Sequence, residues 1–188
     1  MAQFDHFNLL GPIYDLVFGR SKNKQIVKLT DVDTDQVVLD VGGGTGRIAV
    51  LFKGLTSKVF IADAAIKMIR QAQNKGVQTV NATSEELPFR AGSIDRIVMV
   101  DALHHVENQQ KTLDEMWRLL AEGGKIVIEE PNIHNWFVKL IAIGEKLLLM
   151  RSHFLPPKKI VDMCQFDRKA QVDLVFGKGI VWIVISRE

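Results

Sequence analysis

Residues 40–47 read Asp-Val-Gly-Gly-Gly-Thr-Gly-Arg, an acid followed by four glycines within five positions. Glycines in such a run let the backbone take positive φ and let a ligand approach the main chain closely. A second acid, Asp63, closes an apolar run seventeen residues beyond Gly46. With both acids at strand ends, the loop opens onto a helix N-terminus that suits polar or anionic ligand groups. Asp63 then stands where a carboxylate accepts hydrogen bonds from both hydroxyls of a ribose. A tight turn with an N-capping acid is the plain alternative for the loop alone, and Asp63 at this spacing favours the nucleoside site over it.

Two cofactor classes use such a site. Gly44-Thr45-Gly46-Arg47-Ile48-Ala49 fits the G-x-G-x-x-A pattern of dinucleotide-binding proteins, which keeps a nicotinamide cofactor open. Asp40 points the other way. A carboxylate just before the glycines repels a pyrophosphate, and favours the amino group and sulfonium of S-adenosylmethionine. No Gly-Lys-Ser/Thr follows the loop, so it is not a phosphate-binding P-loop.

His104 and His105 are the candidates for proton chemistry. They follow the apolar run Asp95–Val100, at the strand end where ligands bind in open α/β sheets. Histidine exchanges protons near neutral pH. The competing role for either is packing beneath the next helix. His6, His134 and His153 are too scattered to form a metal cluster, and no metal is expected. The single cysteine, Cys164, excludes an internal disulfide and a cysteine-built zinc site. Within VDMCQF it takes a buried helical position, where a free thiol is inert.

The elements that hold these residues follow from the pattern. Val37–Val41, Lys58–Asp63, Val77–Asn81, Asp95–Val100 and Lys125–Glu130 are short runs rich in β-branched residues, apolar almost throughout, as strands buried on both faces require. Helical patterns lie between them over Gly46–Leu55, Ala64–Asn74 and Gln109–Ala121. Gly76 is placed as the C-cap of the second. The last helix carries Leu113, Met116, Trp117 and Leu120 at helical spacing. Strand–helix alternation of this kind gives a parallel sheet with right-handed crossovers. Gln171–Phe176 and Ile180–Ile185 are joined only by Gly177-Lys178-Gly179, which forces an antiparallel hairpin.

Composition sets the bounds. The chain has 188 residues, 47% hydrophobic and 24% charged, which suits one soluble domain. A net charge of +2 does not imply nucleic-acid binding. Residues 1–15 lack a basic segment followed by an apolar one, so a cytoplasmic location is expected. Trp136–Met150 is about fifteen residues long and interrupted by Lys139, Glu145 and Lys146, too short for a span of roughly twenty apolar residues. It is expected to be a helix with a wide apolar face. From Asn132 onward nine Lys/Arg stand against five Asp/Glu. An apolar helix face beside basic residues permits a weak membrane-surface contact, and a solvated face is the plainer alternative.

VLDVGGGTGRIA resembles the first motif of class I S-adenosylmethionine-dependent methyltransferases, and SEELPFRAGSIDRIVMVDALHHV and LLAEGGKIVIEEPN extend the resemblance over about Val37–Pro131. These segments are similar to the small-molecule branch that includes ubiquinone/menaquinone methyltransferases. The resemblance implies a Rossmann-like, doubly wound α/β sheet of seven strands, order 3-2-1-4-5-7-6, with strand seven antiparallel. It implies one domain over 1–188, with an N-terminal lid at 1–30 and variable substrate-side helices at 132–166. Gly42, Gly44 and Gly46 would underlie the methionine part of S-adenosylmethionine and Asp40 would hold its amino group, directly or through water. Asp63 would take the ribose, Ala64 or Met68 would pack near the adenine, and Ser84 and Glu85 would edge it. Val100 and Asp101 would close the site, and Tyr14 would cover the cofactor or touch the acceptor. The family often has Asp where Thr83 stands, and a neutral hydroxyl makes a weaker bond to the adenine amino group. The expected partner is a small apolar or aromatic acceptor rather than nucleic acid. A nicotinamide-dependent oxidoreductase and a cofactor-binding module that transfers nothing are the alternatives.

Overall fold

The computed structural model describes residues 24–132 and 153–188. Its centre is a seven-stranded sheet built from β1 (Val38–Val41), β2 (Val59–Asp63), β3 (Gln78–Asn81), β4 (Ile94–Val100), β5 (Leu120–Pro131), β6 (Ala170–Phe176) and β7 (Ile180–Arg187). The spatial order is β3-β2-β1-β4-β5-β7-β6. Pairs β1/β2, β1/β4, β2/β3 and β4/β5 are parallel. Strand β7 runs antiparallel to both β5 and β6. The expected fold and strand order are therefore borne out.

The central strands are apolar on both faces because both faces are covered. Leu39, Val41, Ile97, Met99, Ile126 and Ile128 join one core, with Leu113 and Met116 of helix α4 (Gln109–Leu119). Val38, Val98, Val100 and Val127 join the other, with Phe52 of helix α2 (Ala49–Phe52). The segment 24–30, helix α1, adds Ile26 to that second core. Alternate residues of one strand thus serve opposite cores, as the pleat dictates.

All three expected helices depart from expectation at a boundary, the second by starting at Ile66 rather than Ala64. The first helix was expected over Gly46–Leu55 and is confined to Ala49–Phe52. Gly46 sits at φ 78°, a left-handed conformation outside any α-helix, so the chain turns before it winds. Helix α4 ends at Leu119, where Leu120 is already extended (φ −67°, ψ 127°) and begins β5 by pairing with Ile94. A register shift between Ile94 and Arg96 then carries β5 into its long run beside β4. Helix α3 (Ile66–Asn74) closes as expected at Gly76, φ 70°, whose N–H donates to the Gln73 carbonyl at 2.8 Å.

Helix α5 (Pro157–Met163) buries Ile160, and Cys164 follows it fully buried as its C-cap. Phe166 stacks on Trp117 of α4 at 4.9 Å between ring centroids. The described end of the expected substrate-side stretch therefore packs into the core. Residues 1–23 of the expected lid, Tyr14 among them, and the expected Trp136–Met150 helix lie outside the described residues.

Candidate functional site

The glycine loop leaves β1 in conformations that only glycine adopts freely. Gly42, Gly44 and Gly46 have φ of 67°, 51° and 78°. Space is as restrictive as angle: a Cβ at Gly42 would stand 2.9 Å from the Ala102 Cβ, and one at Gly44 would meet the Met68 sulfur at 3.3 Å. Gly43, not singled out by sequence, is fixed most tightly. A Cβ there would lie 2.7 Å from the Asp40 carboxyl, so the loop lies directly over that group.

Asp40 is 1% exposed, and its Oδ2 accepts the Ala49 N–H at 3.1 Å. Burial pushes its carboxyl up to about 7, and Asp63 adds to the rise; the Ala49 N–H and the Arg47 guanidinium oppose it. A buried carboxyl held so high suits a ligand that brings positive charge to the loop and disfavours one that brings a pyrophosphate.

Asp63 braces the opposite side. Its Oδ2 accepts the Gly44 N–H at 2.8 Å and its Oδ1 the Ala65 N–H at 2.7 Å. The carboxylate ties the loop to the start of α3, and each oxygen retains acceptor capacity for a hydroxyl. Ala64 is exposed and Met68 half-buried beside it. In the loop after β3, Ser84 Oγ lies 3.0 Å from Thr112 Oγ1 and donates to Glu85 Oε2 at 3.2 Å. Glu85 Oε1 accepts the Asn108 N–H at 3.0 Å. Ser84 and Glu85 thus fasten that loop to the N-terminus of α4, and Thr83 is exposed.

The end of β4 abuts the glycine loop through Ala102. Val100 is buried, and Asp101 takes φ 51° while donating its N–H to the Glu129 carbonyl at 2.9 Å. Arg47 Nη2 stands 3.7 Å from Asp101 Oδ2. A 3₁₀ turn, Leu103–His105, follows. His104 is 4% exposed, with Nδ1 2.6 Å from Glu130 Oε2, and Glu130 Oε1 accepts the Leu103 N–H at 2.9 Å. The Phe154 ring stacks on His104 at 4.3 Å and 17°, and the His105 ring lies 3.9 Å away. Burial, reinforced by His104, lowers His105 to about 3, so His105 is neutral throughout the physiological range.

The structure thus gathers Asp40, Gly42, Gly44, Gly46, Asp63 and Met68 around one loop. It sets Val100, Asp101, His104 and His105 at the adjacent strand end, and Ser84 and Glu85 on the next loop. Two buried acids were missed as side-chain partners. Glu129 Oε2 accepts the Trp182 Nε1–H at 2.6 Å, and Glu130 pairs with His104 on the opposite face. Strand alternation sends neighbouring residues to opposite faces, a signal present in the sequence. Which side chains they meet there depends on β4/β5 and β5/β7 pairing, which it does not carry. Among the described residues no His/Cys/Asp/Glu group is arranged to hold a metal, and no helix is long and apolar enough to cross a membrane.

Residues 39–128 match the model of a methyltransferase domain. Among curated relatives, a ubiquinone/menaquinone biosynthesis C-methyltransferase of Methylococcus capsulatus is 28% identical over 141 residues, covering 69% of this chain and 57% of that one. The protein of the same description from Klebsiella pneumoniae is 31% identical over 135 residues, covering 66% and 54%. The chain therefore spans about half the length of the curated relatives it matches. Among solved structures, an S-adenosylmethionine-dependent methyltransferase of Thermotoga maritima, described as a possible histamine N-methyltransferase, superposes with a TM-score of 0.77 at 21% identity over 98% of both chains. A geranyl diphosphate C-methyltransferase of Streptomyces coelicolor, crystallised with Mg2+, geranyl diphosphate and S-adenosyl-L-homocysteine, gives 0.72 at 11% identity over 89% of this chain and 77% of that one. At these identities the structures speak for the fold. Together the matches bear out the resemblance to class I S-adenosylmethionine-dependent methyltransferases similar to the ubiquinone/menaquinone enzymes, and they do not favour the nicotinamide alternative. They leave the acceptor undefined.

Proposed function

We propose that this chain, with a methyltransferase domain at 39–128, transfers a methyl group from S-adenosylmethionine to a small apolar or aromatic acceptor. One observation carries the cofactor assignment: the glycine loop is clamped between a buried carboxyl, Asp40, and a second carboxylate, Asp63, whose oxygens hold Gly44 and Ala65. When bound, S-adenosylmethionine supplies a methyl group activated by its sulfonium.

The chain's own residues supply position and electrostatics. Gly42, Gly44 and Gly46 let the methionine part approach the backbone. Asp40, beneath Gly43, provides negative potential for its ammonium and sulfonium. Asp63 binds the ribose hydroxyls with its remaining lone pairs. Ala64 and Met68 flank the adenine, Ser84 and Glu85 edge it, and Val100 and Asp101 close the site. His104 and His105 are the candidates to take the acceptor's proton. The kinship to relatives described as C-methyltransferases supports an acceptor with a nucleophilic ring carbon, for which removal of a proton is part of the chemistry. The single-domain organisation, with lid and acceptor-side segments at 1–30 and 132–166, a cytoplasmic location and a weak contact of Trp136–Met150 with an anionic membrane surface belong to the same proposal.

Calorimetric titration tests the cofactor: S-adenosylmethionine is expected to bind, and NAD to give no heat. Labelled methyl transfer to a naphthoquinol, a phenol and a thiol tests the acceptor. Binding of NAD alone would overturn the cofactor assignment. Binding of S-adenosylmethionine with no transfer to any of these would favour a non-catalytic module.

A further inference from the structure

The chain between β3 and β4, residues 82–93, contains no helix or strand. It carries Ser84 and Glu85, the residues proposed to edge the adenine. One end is tied to the Asp63 side of the site, where the Ala82 N–H donates to the Asp63 carbonyl at 3.2 Å. The other end is tied to α4. Glu115 Oε1 accepts the Leu87 N–H at 2.8 Å. Arg118 grips the same carboxylate as a fork, Nε donating to Oε2 at 2.7 Å and Nη2 to Oε1 at 2.8 Å. Nη2 also reaches the carbonyls of Leu87 and Phe89 at 3.2 and 3.1 Å. One ion pair thus holds three backbone groups of the loop. A bidentate guanidinium–carboxylate pair is planar and directional, so it fixes orientation as well as distance. The Arg118 hydrogen bond, helped by the Leu87 N–H, holds the Glu115 carboxyl below the usual carboxylate range against the opposing effect of burial, so the pair stays charged at neutral pH.

We propose that Glu115 is a positioning residue for the adenine end of S-adenosylmethionine: held by Arg118, it fixes the backbone at Leu87 and so sets where Ser84 and Glu85 meet the base. This rests on the methyltransferase reading and on the cofactor placement proposed with it. The turn that bears both residues, closed by the Glu86 N–H on the Thr83 carbonyl at 3.3 Å, spans the interval between Ala82 and Leu87. Moving the Leu87 backbone therefore moves that turn. The same face of α4 aligns the turn's side chains. The Asn108 N–H donates to Glu85 Oε1 at 3.0 Å, and the buried Thr112 has its Oγ1 3.0 Å from Ser84 Oγ. Positions 108, 112 and 115 are spaced by four and then three, so they lie along one side of the helix. Glu115 is the member of this stripe whose side chain grips the loop's backbone.

Two variants and two ligands separate this role from general support of the fold. Glu115→Ala removes the grip outright. Arg118→Lys, at an exposed position, keeps the charge but replaces the planar fork by a single ammonium. S-adenosyl-L-homocysteine carries the adenine. S-ribosyl-L-homocysteine lacks it and keeps the ribose and amino-acid parts that Asp63, Asp40 and the glycine loop are proposed to hold. Each variant is expected to lose about tenfold in affinity for S-adenosyl-L-homocysteine by calorimetry, and less than about twofold for S-ribosyl-L-homocysteine by ligand-observed NMR. An equal loss for both ligands would mean that the pair supports the domain as a whole, and would overturn the proposal. So would an unchanged affinity for S-adenosyl-L-homocysteine in either variant. If Glu115→Ala does not fold, Arg118→Lys decides by the same two measurements. Wild-type protein that binds neither ligand would instead overturn the methyltransferase reading, and the proposal with it.

Discussion

Replacing Asp40 by Asn is expected to stabilise the ligand-free protein at neutral pH while weakening its cofactor site. The Asp40 carboxyl, ordinarily at 3.8, is pushed up to about 7 in the folded chain, mainly by burial. Between those values the folded state keeps its proton and the unfolded state has lost it. Stability therefore falls as pH rises across this window, and levels off above about 7 where both states are ionised. The span from 3.8 to about 7 amounts to roughly 4 kcal/mol at about 1.4 kcal/mol per pH unit. Asn does not titrate, and its Oδ1 can still accept the Ala49 N–H that Asp40 now takes at 3.1 Å. Urea denaturation of both proteins between about pH 4 and 8 should show similar stability at the acid end. A gap opening toward pH 7, up to about 4 kcal/mol in favour of Asp40→Asn, should follow. S-adenosylmethionine should bind the variant more weakly, because the negative charge beneath Gly43 is gone. Parallel stability curves, with no pH-dependent gap, would refute the account of Asp40 as a buried carboxyl held ready for a cation.

Asp63→Ala should weaken S-adenosylmethionine binding by about 1.5–3 kcal/mol, roughly ten- to a hundredfold, measured by calorimetry, since it removes the proposed ribose partner and the brace on Gly44 together. Trp182→Phe removes the Nε1–H donor to the buried Glu129 carboxylate and should cost about 1–3 kcal/mol, seen as a lower midpoint in thermal unfolding. Cys164, whose thiol burial pushes up to about 12, should resist an aromatic disulfide reagent at mildly alkaline pH in the folded protein and react once urea unfolds it; fast reaction in the native state would place it outside the core.

Much of the fold was legible because the strands that matter are buried on both faces. Val38–Val41 and Ile94–Val100 have no solvent side, so their sequences are apolar runs bounded by turn residues, and the short hairpin connection left β7 no other direction. The glycine loop was legible for the opposite reason: strained φ at Gly42, Gly44 and Gly46 admits few other residues. The ends of α2 and β5 were not, since Gly46 and the register shift near Ile94 act against local periodicity. In the site, the candidate acids and histidines could be named, but not their partners. That Asp40 lies under Gly43, or that His104 meets Glu130, depends on contacts between separate strands and turns. Periodicity speaks of faces and carries no information about which side chain lies opposite.

The place of β7 bears on how the chain is made. The strand is sandwiched between β5 and β6, yet it follows both in synthesis. When β5 has left the ribosome, β4 can dock along one side through the Arg96–Val100 register, but its other side has no mate until residues 180–187 emerge. During that interval Ile126 and Ile128 stand on a half-finished sheet with an open edge, a surface that invites pairing with another nascent chain. Expression yield should therefore depend more on chaperone supply and on the integrity of Ile180–Arg187 than on changes near β3, the opposite border of the sheet. A stop codon within β7 would do more than shorten the protein: it would leave β5 unmated and take with it Trp182, the hydrogen-bond donor to Glu129.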